Sequence, residues 1–161
     1  PYKILTTGYA YTSESVRECY HAVTAIQARM FHLGPDVFGK RPTTYVDMAT
    51  NITDREVATF LNRTQYVAGL RRGEGFEMAA AEGILCGARP ILFDTAHYRR
   101  WYDGLGVFIP EGTREEITQS LIETLSVSPQ PVDDATWHDA QNRFHWPTLV
   151  GEFWARASER R

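Results

Sequence analysis

The sequence predicts an α/β domain, a parallel sheet with helices on both faces. Short runs of β-branched and aromatic residues alternate along it with stretches whose apolar residues recur at helical spacing, the pattern of strand–helix–strand units. Glycines, prolines and three Ser/Thr-x-x-Glu boxes mark the joints between them (Ser15 to Glu18, Thr53 to Glu56, Thr113 to Glu116). The chain is 161 residues long and 43% hydrophobic, which suits one domain with a substantial core.

Residues 3–7 form the first expected strand, bounded by Gly8. Thr12, Ser13 and Ser15 offer caps for a helix in which Val16, Cys19, Tyr20, Val23 and Ile26 share a face. Residues 28–33 read either as a second strand or as more of that helix. Gly34, Pro35, Gly39 and Pro42 make the following stretch a loop, with Lys40 and Arg41 in it. A strand over 43–48 follows, where Thr44, Tyr45 and Val46 favour extended chain. The Thr53 box opens a helix with Val57, Phe60 and Leu61 on one side, and residues 65–68 form the next strand.

A helix over 76–86 and a buried-type strand over 91–94 come next. Residues 95–98 then read as a polar loop at the strand's C-terminal edge, with His97 as a surface histidine or an acid–base group. Residues 106–109 form the last short strand. The Thr113 box starts a helix with Ile117, Leu121 and Leu125 as its stripe. Residues 126–132 form a Pro/Ser linker, Asp134 begins a short helix, and Pro147 suits the first turn of a last helix carrying Leu149, Val150, Phe153, Trp154 and Ala157. These readings divide the chain into a sheet domain over 1–125 and a linker with C-terminal helices over 126–161.

The organising stretch is R-R-G-E-G-F-E-M-A-A-A-E-G-I-L-C-G-A-R-P-I-L-F-D, residues 71–94. Gly73 and Gly75 flank Glu74, and glycines there permit a tight approach of backbone to ligand. The helix that follows points its N-terminus, with free N–H groups and the positive end of its dipole, at whatever lies beside that loop. Arg71 and Arg72 precede it and favour an anion, or pair with Glu74 or Glu77. Glu82 lies eight residues beyond Glu74, which on a helix is roughly 12 Å. A long ligand with hydroxyls at each end and a diphosphate between them fits that spacing. A Gly-rich turn capping an ordinary core helix, with two solvated acids, is the alternative.

The stretch resembles the donor half of retaining, two-Rossmann (GT-B) glycosyltransferases. Their signature is E-G-F-G, an apolar helix with a second Glu, then C-G-x-P-V-I. Here Glu74-Gly75-Phe76-Glu77 is followed by Glu82 and by Cys86-Gly87-Ala88-Arg89-Pro90-Ile91. Phe144-His145-Trp146 is similar to the family's aromatic motif before its last helix. The resemblance implies a Rossmann-like domain, one half of a GT-B fold, and transfer of a sugar with retention from a nucleoside diphosphate sugar of UDP or GDP type, with no other cofactor. It implies that Glu74 binds hydroxyls of the donor sugar and Glu82 the ribose. It also implies that the amides of Gly75, Phe76, Glu77 and Met78 hold the diphosphate, and that the base lies near Asp47 and Met48. Where the family has a basic pair in its first loop, this chain has Gly8-Tyr9-Ala10-Tyr11, so Arg17 or Arg71 is the candidate to stabilise the leaving diphosphate. Glu77 stands where the family has a small residue, and it is expected to point away from the pocket and to cap the helix. The acceptor would come from a second, N-terminal domain or a partner chain, and the terminal aromatic helix would pack on that partner or pair with a second copy. A non-catalytic nucleotide-sugar or nucleotide binding module is the alternative function, and an unrelated Rossmann-like fold a third.

Composition excludes other classes. Net charge is −3 with pI near 6.0, which is no footprint for nucleic acid. Two cysteines, Cys19 and Cys86, suggest packed thiols in a reducing, cytoplasmic setting rather than a disulfide. No apolar run approaches the ~20 residues of a membrane span. His138 and His145 lack metal-ligand spacing, so no metal is expected.

Overall fold

The computed structural model describes residues 1–9, 13–38, 44–73, 75–128 and 130–158. Glu74, the loop residues Ala10, Tyr11 and Thr12, the basic pair Lys40 and Arg41, and the side chains of Phe153 and Ala157 lie outside what it describes. Among the described residues, six strands form one parallel sheet in the order β3-β2-β1-β4-β5-β6. They are β1 (Tyr2–Thr7), β2 (Met30–Leu33), β3 (Val46–Ala49), β4 (Thr64–Gly69), β5 (Arg89–Phe93) and β6 (Val107–Ile109). The interleaved helices are α1 (Val16–Ala25), α2 (Asp54–Leu61), α3 (Met78–Leu85), α4 (Ala96–Tyr102), α5 (Arg114–Ser126), α6 (Asp134–Arg143) and α7 (Trp146–Ser158).

Strand alternation places Ile4, Tyr66 and Ile91 on one face, in the core that contains Val16, Cys19 and Val23 of α1 and Ile117 and Leu121 of α5. Leu5, Phe31 and Val67 point to the other face, where they meet Leu61 of α2 and Ala79 of α3. Helix α3 lies close on β4 because Gly83 has no side chain: a Cβ there would stand 2.2 Å from Val67 Cγ1. The open stretch at 28–33 is settled as strand β2, since Met30 and Phe31 pair with Ile4 and Leu5.

Several expected elements differ in detail. Thr44 and Tyr45 form a turn, and β3 begins only at Val46. Strand β5 starts at Arg89 and includes Pro90, although proline cannot donate to a ladder. The carbonyl of Pro90 faces the Gly106 side, where β6 begins only at Val107 opposite Ile91, so the ladder loses little. Residues 96–102 are helix α4, not a polar loop. Thr95 caps it by accepting from Tyr98 N, and Tyr98 and Tyr102 are buried beneath it. Two of the three expected capping boxes form, at Thr53 and Thr113. The third does not: Ser15 makes no side-chain cap, and Glu18, buried, reaches across to Arg114 of α5 at 3.4 Å.

The stretch after α5 is strapped to the sheet. Arg89 is buried at the start of β5 and donates to the carbonyls of Gln130 and Pro131, both at 3.0 Å, and to that of Leu105 at 3.3 Å. Trp137 of α6 donates its indole N–H to Leu85 O at the end of α3 at 2.9 Å.

Candidate functional site

In a parallel sheet of this order, β1 and β4 are neighbours whose connections run off in opposite directions, and open α/β sheets bind ligands at the C-terminal edge of such a crevice. Gly8 leaves β1 there, and Arg71 and Gly73 leave β4. Two loops are zipped across the gap: Ser15 N donates to Leu70 O at 3.2 Å, and Arg72 N to Ser13 O at 2.9 Å. They leave a small cavity of about 10 Å³ lined by Thr6, Thr7, Glu14, Ser15, Ala68 and Arg71, among others, room for about one water.

Arg71 is the centre of this corner. It donates to Thr7 Oγ1 at 3.3 Å, faces Glu14 at 3.5 Å and meets the Glu77 carboxylate at 3.6 Å. Glu14 was not among the residues the sequence singled out. The signal was present, because Glu14 is the one charged residue between Gly8 and Ser15. Its carboxylate accepts from Tyr9 N at 2.6 Å and lies where a Cβ on Gly8 would be, 2.5 Å away. Gly8 also has φ +117°, so both its conformation and its missing side chain serve that contact.

Helix α3 starts at Met78, two residues later than expected, and Glu77 is its N-cap. The Glu77 carboxylate accepts from Ala79 N at 3.3 Å and is 3% exposed. Glu77 thus caps the helix while staying at its N-terminal end, beside Arg71. Two tyrosines of α4 hold the backbone of this loop: Tyr98 OH donates to Arg71 O at 2.8 Å and Tyr102 OH to Glu77 O at 2.6 Å. Burial, with the Glu77 charge beside it, pushes the Tyr102 hydroxyl far above its ordinary pKa, so it stays a donor. Phe76 anchors the same loop in an aromatic cluster with Trp101, Tyr102 and Phe144.

The remaining expected residues are dispersed. Glu82 is on the solvent-facing side of α3, and partial burial, with the charge of Asp54 at the start of α2, raises its carboxyl pKa. It therefore lies near the N-terminus of α2. Met48 and Asp47 are on the edge strand β3. The Asp47 side chain is bonded to Tyr2 OH at 2.7 Å and to Arg29, and Met48 is partly exposed. Arg17 is not in the Arg71 corner. It lines a separate cavity of about 400 Å³ with His21, Phe38 and Arg114. Arg72 turns away to Gly112 O at 3.0 Å and stacks on Phe93. His97 is an exposed residue in the first turn of α4. Cys19 is buried and Cys86 half-buried, and both are free thiols. Among the described residues no group of acids, histidines or cysteines is placed to hold a metal ion, and no helix is long and apolar enough to cross a membrane.

No family model matches the chain, and no curated protein matches it. Solved structures do. A glycosyltransferase involved in avilamycin A biosynthesis superposes with a TM-score of 0.73 at 12% identity over 96% of this chain and 50% of its own. Sucrose-phosphate synthase from Thermosynechococcus elongatus gives 0.75 at 12% identity over 99% and 46%. The Anabaena protein HepE, solved in complex with UDP, gives 0.73 at 14% identity over 98% and 49%. The chain spans about half the length of these structures, and its fold is that of one Rossmann-like half of a GT-B glycosyltransferase.

Proposed function

We propose that this chain is the donor-binding half of a retaining glycosyltransferase, taking a nucleoside diphosphate sugar of UDP or GDP type with no further cofactor, in the cytoplasm. The observation that carries the reading is the corner at the β1–β4 edge, where Arg71 meets Glu77 at the start of α3. Glu82 stands on the same helix, four residues beyond its start at Met78. In this reading the Glu82 carboxylate accepts from the ribose hydroxyls. The backbone at the end of β3, around Asp47 and Met48, meets the base. The side chain of Asp47 is occupied by Tyr2 and Arg29, so only main-chain contacts remain for that role. The amides of Gly75, Phe76, Glu77 and Met78, with Arg71, receive the diphosphate and stabilise the charge that grows on it as the glycosidic bond breaks. Glu74 takes the sugar hydroxyls near the reacting carbon, which gains positive character in the transition state. Arg17 lines a different cavity, so Arg71 is the better placed of the two cations.

The likeness of the fold to a protein solved with UDP supports this reading, as does the resemblance of residues 74–91 to the donor signature. The acceptor would be bound by a second domain or partner chain, docked against the exposed face of α7. Calorimetry with UDP tests the nucleotide site. Glu82→Ala is expected to weaken UDP by about tenfold or more, the worth of a hydrogen bond to a charged group. An unchanged affinity removes Glu82 from the site.

A second reading is a module that binds the nucleotide without catalysis. The acid-flanked Arg71 corner and a first loop without Arg or Lys between Gly8 and Ser15 favour it. Donor hydrolysis or sugar transfer by the purified chain, alone or with its acceptor-binding partner, would exclude it.

A further inference from the structure

The corner that would receive the diphosphate already contains anions of its own. Glu77 is 3% exposed and the side chain of Glu14 is 11% exposed, and both face Arg71, whose side chain is 29% exposed. Among the described residues, one guanidinium between two carboxylates gives these three groups a formal charge of −1. Glu77 cannot leave by a loop movement at low cost, since Tyr102 and Tyr98 hold the backbone at both ends of residues 71–77. A rotation of its side chain gives up the cap on Ala79 and the contact with Arg71.

Building on the donor-site reading, we propose that Glu77 is a specificity-determining residue. Its carboxylate occupies the place of a ligand phosphate, and a diphosphate binds only by displacing it. Arg71 then passes from an internal anion to an external one. The chain consequently draws little net affinity from the diphosphate, and a nucleoside binds nearly as well as its diphosphate. With the Glu77 charge removed, like-charge repulsion at contact distance disappears and the Arg71 charge becomes available to phosphate.

The test compares the wild-type chain with Glu77→Gln and Glu77→Ser by calorimetry against UDP, uridine and inorganic pyrophosphate. Serine is a good uncharged N-cap, so the second variant keeps the start of α3 if glutamine does not, and far-ultraviolet circular dichroism confirms the fold of each. Both variants are expected to bind UDP and pyrophosphate about tenfold tighter than wild type, with uridine unchanged. Unchanged or weaker pyrophosphate and UDP binding in the folded variants overturns the proposal, even if uridine binds. If neither UDP nor uridine binds any of the three proteins but pyrophosphate affinity rises in the variants, the nucleotide reading fails and the role of Glu77 stands.

Discussion

At the scale of single residues, the proposed donor site turns on two charges. Glu82 is partly desolvated and sits near Asp54, and both effects raise its pKa above the ordinary ~4.3 of a glutamate. In the proposed site ribose hydroxyls would donate to the ionised form, so UDP affinity should fall as pH drops from neutrality through that raised value. Glu82→Gln should flatten this dependence in a calorimetric pH series. For stability the sign is opposite. The folded chain holds this proton more tightly than the unfolded one, so ionised Glu82 destabilises the fold and acidification relieves it. Arg71 acts on both fronts. Arg71→Ala should weaken UDP more than uridine. It should also lower stability by about 1–3 kcal/mol in urea melts, because Glu14 and Glu77 lose the cation paired with them.

Among the elements, the helix caps are the parts whose chemistry reads most directly from the chain. Thr53 and Thr113 each sit three residues before a glutamate, and both boxes close, with Glu56 and Glu116 accepting from the backbone N–H of the cap residue at 2.8 Å. These bonds favour the ionised carboxylates and lower their pKa values. The stabilisation is therefore complete above the unfolded-state pKa and is lost as pH falls through the lower folded value. The Glu56→Gln, Glu116→Gln double variant should show a shallower acid limb in Tm measured between pH 6 and 3. Ser15 has the same local pattern and fails, because long-range pairing of Glu18 with Arg114 outcompetes a local box. Helix α4 was hidden for a related reason. Seven residues with only a threonine cap carry little periodic signal, and the burial of Tyr98 and Tyr102 is decided by the loop they hold. The helix that carries Glu82 and the strand after it were legible from spacing. The capping of that helix by Glu77 was legible as well, but its direction was not, since whether the carboxylate turns inward or outward depends on a cation 3.6 Å away across the loop. Gly83 gives a direct check on how α3 is seated. Gly83→Ala adds helix propensity yet drives a methyl into Val67, and a net loss of about 1–3 kcal/mol is expected in chemical denaturation.

For the whole molecule, the apolar surface is unevenly spent. The sheet core is closed on both faces, while α7 presents Trp146, Val150 and Trp154 at 55%, 47% and 63% exposure. Isolated exposed apolar residues are ordinary, but three on one helix form a patch of the kind that meets another surface. Trp154→Ser is expected to reduce binding of a hydrophobic dye to the chain while moving Tm by less than about 2 °C, since little burial is lost. A large drop in Tm would mean that the indole is part of the core.

The Arg89 clamp has its own consequence. One side chain fastens the crossing from α5 to α6 against the sheet through three carbonyls, while α6 has its own hold through Trp137 on Leu85 O. A lysine there reaches fewer of those oxygens, and the crossing should then open locally, with its amides exchanging with solvent deuterium well before those of β4 and β5. Proteases would find that crossing for the same reason.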